Sequence, residues 1–340
     1  MNPIYIYAPS FVNWSAGIKV LYLLCQELNK IGVSAWIALH GPIPDKMEYL
    51  GPVLNQEIID QHAANNLKTI AIYTESVIGN PLNAAMTVRW ILNYPGLLGG
   101  QKYFKDDFLM AYTENLAKAS KSSNPNALIE VLYLPALNLK EMLEAKELAL
   151  KNPEKYSLIY AHKFRALGGR ITPVHHRTIE ITRVEKNSTK RQETLRLIAG
   201  AEQVYVYENT TVITEAQILG IPVRCISNKW FDQIIAEVEL GTSGIVWGMD
   251  TPLEQPNSQD VIGKIIKYEE RLPIKLQELT KKWFLQAEKN AFKKPKLPSN
   301  NLISKHSLMR AKALIQTKSI SSVFKFGWSY LKRWKRKHGY

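Results

Sequence analysis

The chain has 340 residues, 46% of them hydrophobic and 22% charged, which is the composition of a globular protein with room for two ordinary domains. Its formal net charge is +14, yet no Asp or Glu follows Glu288; the 14 Lys and Arg of 289–340 carry the whole excess, and 1–288 balances 30 basic against 30 acidic residues. A neutral body argues against a nucleic-acid surface, no run of about 18 apolar residues offers a membrane span, and no internal repeat points to a solenoid.

The start, MNPIYIYAPSF, lacks a basic region ahead of a long apolar stretch and reads as a strand over 3–8, not a signal peptide. The loop SFVNWSAG follows, then an amphipathic helix over about 17–31 and a strand over 34–40, which makes one βαβ unit. Residues 70–73 read as a strand, 83–93 as a helix, and 109–112 and 128–134 as strands. The charged helix over 140–156 marks a boundary, after which the alternation restarts. Strands are expected at 157–164, 177–183, 203–207, 223–227 and 243–248, with helices at 188–199 and 210–219. Two further helices, about 258–270 and 272–291, close this half. Alternation of this kind predicts an α/β fold. It has two Rossmann-like domains, 1–150 and 151–290, facing across a cleft, and a basic tail over 291–340.

Ligands of open α/β sheets sit outside the carboxyl ends of the strands, so the loops there carry the candidate chemistry. Ser15 and Gly17 open the first helix, where small residues expose backbone N–H groups. This loop is neither a dinucleotide fingerprint nor a Walker A sequence, and an ordinary N-cap accounts for it equally well. Glu75 follows the third strand, either as a carboxylate for an acceptor hydroxyl or as part of a polar loop. In the second half Lys163, Arg165 and Arg183 each follow a strand and are expected to converge on an anion. Cys25 and Cys225 lie in apolar segments and read as buried thiols in a reducing cytoplasm. His175 and His176 have no carboxylate or thiol at ligand spacing, so no metal is expected.

The densest chemistry is in YVYENTTVITEAQILGIPVRCI, 205–226. Glu208 ends a strand, Thr210 and Thr211 open a helix whose amides favour phosphate, and Glu215 lies one turn on. Helix capping with an acidic first turn explains part of this pattern. Glu208, Glu215-Ala216 and Gly220-Ile221-Pro222-Val223 together resemble the donor domain of GT-B glycosyltransferases, closest to those that build bacterial lipopolysaccharide and capsule. The resemblance implies a metal-independent transferase with a nucleotide-sugar co-substrate and no other cofactor. Its acceptor would be a glycan or glycolipid at the cytoplasmic membrane face. Glu215 would hold the ribose, the 210–212 amides, Lys163, Arg165 and Arg183 the diphosphate, and Ser15–Gly17 the sugar or acceptor. Glu75 would be the base if the reaction inverts. Many retaining members place seven residues between the two glutamates, and this chain has six. A silent scaffold of the same fold, or an epimerase-like nucleotide-sugar enzyme, stays open beside this.

On a helical projection of 320–340, Phe324, Trp328, Leu331 and Trp334 gather opposite Lys325, Lys332, Arg333, Arg336 and Lys337, with Phe326 and Lys335 breaking the pattern. That is the pattern of a helix lying on an anionic membrane, with a helix docked on its own body as the alternative.

Overall fold

A computed structural model describes residues 1–13, 15–41, 51–150, 156–172, 174, 177–181 and 191–298. Arg183, Trp328, Lys332, Arg333 and Trp334, with the rest of the tail beyond 298, lie outside the described residues, as do His175 and His176.

The first half builds a six-stranded parallel sheet from β1 (Ile4–Pro9), β2 (Ala35–His40), β3 (Ile70–Thr74), β4 (Met86–Ile91), β5 (Phe108–Ala111) and β6 (Ile129–Val131), in the order β2-β1-β3-β4-β5-β6. Its helices are α1 (Ala16–Lys30), α2 (Gln56–Ala64) and α3 (Glu114–Lys121). The second half builds a five-stranded parallel sheet from β7 (Ser157–Tyr160), β8 (Thr178–Glu180), β9 (Gln203–Val206), β10 (Val223–Cys225) and β11 (Ile245–Trp247). The order there is β11-β10-β9-β7-β8. With α4 (Leu139–Leu150), α5 (His162–Ala166), α6 (Arg191–Gly200), α7 (Thr211–Leu219) and α8 (Glu237–Leu240), it completes the expected α/β architecture of two doubly wound sheets.

Residues 83–93 are not the expected helix. Met86–Ile91 form β4, the fourth strand of the first sheet, with Val88, Arg89, Trp90 and Ile91 all buried. Met86, Val88 and Trp90 alternate with Thr87 and Arg89, the period of a strand, but Arg89 is buried by its bonds to Asp107 and to the Thr74, Val77 and Gly79 carbonyls, so the alternation is not one of buried and exposed faces. The short helices α2 and α3 were not read from the sequence at all. Each begins with a side-chain cap, Asn55 accepting from the Ile58 N–H and Thr113 from the Leu116 N–H.

The two closing helices are one. α9 runs unbroken over Ser258–Lys289 with Pro273 inside it, a length of about 48 Å at 1.5 Å per residue. Its first half buries Val261 and Ile265 in the core under the second sheet. Its second half buries Leu272, Leu276, Leu279, Trp283 and Ala287 in the first core, beside β1 and α1. The proline sits where the helix passes from one core to the other. The missing N–H there weakens a helix that tertiary burial on both sides holds together. α4 likewise belongs with the second sheet, since Met142 and Ala145 join that core.

Trp283 is fully buried, edge-on to Phe108. Trp283→Ala is expected to cost about 3–5 kcal/mol in denaturant unfolding. A loss under about 1 kcal/mol would mean that α9 does not complete the first core in solution.

Candidate functional site

In the second sheet, β7 connects outward to β8 on one side and β9 continues to β10 on the other. The junction of β7 and β9 is therefore the point where strand order reverses, the usual place for a ligand. Glu208 and Lys163 meet there. Glu208 is 5% exposed, and its Oε2 accepts from the Phe164 N–H at 2.8 Å, a carboxylate at the first turn of α5. Lys163 Nζ lies 3.8 Å from Glu208 Oε1 and donates to the Asn209 carbonyl at 2.6 Å. Thr210 caps α7, its hydroxyl accepting from the Val212 N–H at 3.3 Å. Gly220 ends that helix at φ +84°, a left-handed position suited to glycine.

Asn209 ties this corner to the other half of the chain. Its Nδ2 donates to the Gln233 carbonyl at 2.9 Å, and its Oδ1 accepts from the Ile235 N–H at 2.8 Å. The segment so held follows β10 and reaches across to the first sheet. Asn115 Nδ2 donates to the Ile234 carbonyl, Ile235 packs among Ile91, Ala111 and Leu116, and Glu239 Oε1 accepts from the Glu114 N–H at 2.8 Å. Glu239 thus caps α3 from the opposite half, and burial holds its carboxyl above the usual range. These contacts join residues after β10 to residues after β4 and β5, so the carboxyl edges of the two sheets face one another.

Of the expected cations, the two that are described do not converge. Lys163 and Arg165 are two residues apart on α5, about 200° around the helix. Lys163 turns to β9, while Arg165 turns to β8 and forms a two-pronged pair with Glu180 at 2.7 and 2.8 Å. There Arg165 and Glu180 line an open depression of about 490 Å³ with Thr172 and Thr178. Glu215 is also placed differently from its expected ribose role. It is 2% exposed in the helical layer, and its Oε1 accepts from Arg191 Nη1 at 2.5 Å, with Glu141 4.0 Å from Arg191 Nε. The Arg191 partner at the start of α6 was not foreseen, because nothing in local spacing links α6 to α7.

In the first sheet the reversal lies between β1 and β3, and the sites expected after those strands are both at that edge. Ser15 stands at the N-cap of α1 without a side-chain cap bond, and a Cβ at Gly17 would meet nothing within 4 Å. Glu75 is not at an open mouth. It is 3% exposed, and its Oε2 accepts from the Leu92 N–H at 2.9 Å. Burial pushes its carboxyl up to about 7 from the usual 4.5, against the opposing pull of the Leu92 and Asn93 amides and Arg89. Arg89 is 1% exposed and donates to the carbonyls of Thr74, Val77 and Gly79 and, at 2.8 Å, to Asp107 Oδ2. It fixes the backbone that carries Glu75. Among the described residues no three metal-ligating side chains gather.

No protein-family model matches the chain, and neither does any curated protein. Among solved structures, the glycosyltransferase SnogD from Streptomyces nogalater is similar at 8% identity over 82% of this chain and 99% of that one, with a TM-score of 0.32. A likeness that slight carries no weight for activity, which has to be argued from the site itself.

Asn209→Ala removes both bonds to the 233–235 segment and is expected to cost about 1–3 kcal/mol of stability by denaturant unfolding. Glu75 has a folded pKa above its unfolded one, so its favourable contribution is present below about 4.5 and lost as pH rises through about 7. Glu75→Gln should therefore gain on the wild type across that window, by on the order of 3 kcal/mol at pH 8. A difference that does not vary with pH would place Glu75 in water.

Proposed function

We propose that the chain is a glycosyltransferase that takes a nucleotide-sugar donor at the carboxyl edge of the second sheet and passes the sugar to an acceptor held by the first. The observation that carries this reading is the β7–β9 junction, where Lys163 and the Thr210-capped start of α7 stand together facing the other sheet. A lysine beside a helix N-terminus suits the charge that develops on a departing phosphate. Lys163 is the residue for that role. Arg165 joins it only by leaving Glu180, and Glu215 reaches a ribose only by leaving Arg191.

In an inverting transfer, the acceptor oxygen bonds to the anomeric carbon, the bond from that carbon to the diphosphate breaks, and the hydroxyl proton goes to a base. Glu75 is the candidate, with a carboxyl poised near neutrality and a backbone fixed by Arg89. A retaining transfer needs no such base. The basic tail points to an acceptor at an anionic membrane surface on the cytoplasmic side, hence a lipid-linked or surface glycan. Among the described residues no helix is long and apolar enough to cross a membrane.

A second reading has its own observation. Glu208, Glu215 and Arg165 are each engaged with a neighbour in the protein, as expected of a fold kept for binding without turnover.

Thermal unfolding against UDP, GDP, ADP, CMP and dTDP separates the readings. A nucleoside diphosphate should raise the midpoint, and Lys163→Met should weaken it by about tenfold. No response to any nucleotide would remove the donor site. A response without turnover of any sugar nucleotide would favour the scaffold.

A further inference from the structure

The segment after α9 decides where the basic tail leaves the body. At the end of α9, Asn2 Nδ2 donates to Glu288 Oε1 at 2.7 Å, Lys68 Nζ to the Glu288 carbonyl at 2.5 Å, and Asn290 Nδ2 to the Ala85 carbonyl at 3.0 Å. Those partners precede β1, β3 and β4, at the amino edge of the first sheet. Farther on, Asn83 Nδ2 donates to the Lys294 carbonyl, the Lys296 N–H donates to the Leu82 carbonyl, and Leu297 packs against the cluster of Tyr5, Tyr73 and Leu82. That cluster covers the face of the sheet opposite α1 and the second half of α9. The chain therefore turns round the amino edge and lies on this far face at Lys296 and Leu297. Beyond residue 298 the sequence continues for 42 residues with 10 Lys and Arg and no Asp or Glu.

The loops after β3 and β4 lie over the same face, since Arg89, in register with Tyr73, donates to the Val77 and Gly79 carbonyls and stacks on Phe104, and they carry two large exposed apolar side chains. Ile78 is 55% exposed and Tyr103 58%, and their loops meet where the Gly79 N–H reaches Gln101 Oε1 at 3.5 Å. Lys102 and Lys105 flank Tyr103, and Lys296 lies on the strap; all three are exposed, and among the described residues none forms a salt bridge. Asp106 is the exposed acid beside Tyr103 and Asp60, 3.8 Å from Lys294 Nζ, the one beside the strap, while Asp107 is turned to Arg89.

We propose that this face of the first sheet is a second lipid contact, which works with the tail to lay the chain on an anionic membrane in one orientation. The proposal rests on the reading of the tail as an interfacial element. An aliphatic side chain and a tyrosine ring flanked by lysines match the boundary between headgroups and acyl chains, and anionic lipid supplies the opposite charge. Arrival of the tail on this face makes the contact intramolecular once the tail is bound, so a small patch is sufficient.

The test is flotation of the full chain with vesicles of phosphatidylcholine alone or with about a third phosphatidylglycerol. Ile78→Asp with Tyr103→Asp should lower partition onto the anionic vesicles by about fivefold or more, with circular dichroism and thermal midpoint unchanged. Trp328→Ser with Trp334→Ser, in the full chain, reports on the tail separately. Undiminished partition of the Ile78/Tyr103 variant overturns the second contact and leaves the tail reading standing. No partition of the wild-type chain overturns both. A change in oligomeric state on gel filtration, in place of a change in partition, assigns the face to a second copy and also overturns the proposal.

Discussion

The ligand corner of the second sheet and its contact with the first share one carboxamide. Asn209 sits at the strand-order reversal of the second sheet and clamps both the Gln233 carbonyl and the Ile235 amide. The clamped segment is the one that touches α3 and the residues after β4. Because the Asn209 carbonyl also receives Lys163, a charge at the ligand corner and the contact between the sheets share a residue.

Buried charges elsewhere follow a common rule: each is held by a named partner, since an unpaired charge in the interior is far costlier than the net gain from pairing it. Arg89 serves three carbonyls and a carboxylate, so its value is in fixing the 74–79 backbone. Glu208 accepts an amide at the start of α5, and Glu215 accepts Arg191 across two helices. Glu75 is the contrast. It has amide donors beside it and still sits in surroundings that favour its protonated form, because burial outweighs them.

The alternation of strands and helices was legible because it is a pattern of long range and strong period. The two sheets, the helix after β1 and the turn before α7 all follow from it. What was not legible has local causes. In Met86–Ile91 the alternation of apolar residues with Thr87 and Arg89 spans only six residues, and Pro273 reads as a break although burial on both sides carries the helix through. The site divides in the same way. Proximity to strand ends singles out Lys163, Glu208 and Thr210, which stand together at the β7–β9 junction. Partners from distant segments, such as Arg191 for Glu215 and Glu180 for Arg165, depend on tertiary placement that spacing along the chain does not encode.

The continuity of α9 bears on how the protein is made. The first sheet contains residues from the beginning of the chain, but its core is closed by Leu276, Leu279 and Trp283. A ribosome releases those residues only after the entire second sheet has emerged. Until then the core beside β1 and α1 lacks the residues that α9 supplies. Neither core is complete until α9 has been made, because the second takes Val261 and Ile265 from its start and the first takes Leu276, Leu279 and Trp283 from its end.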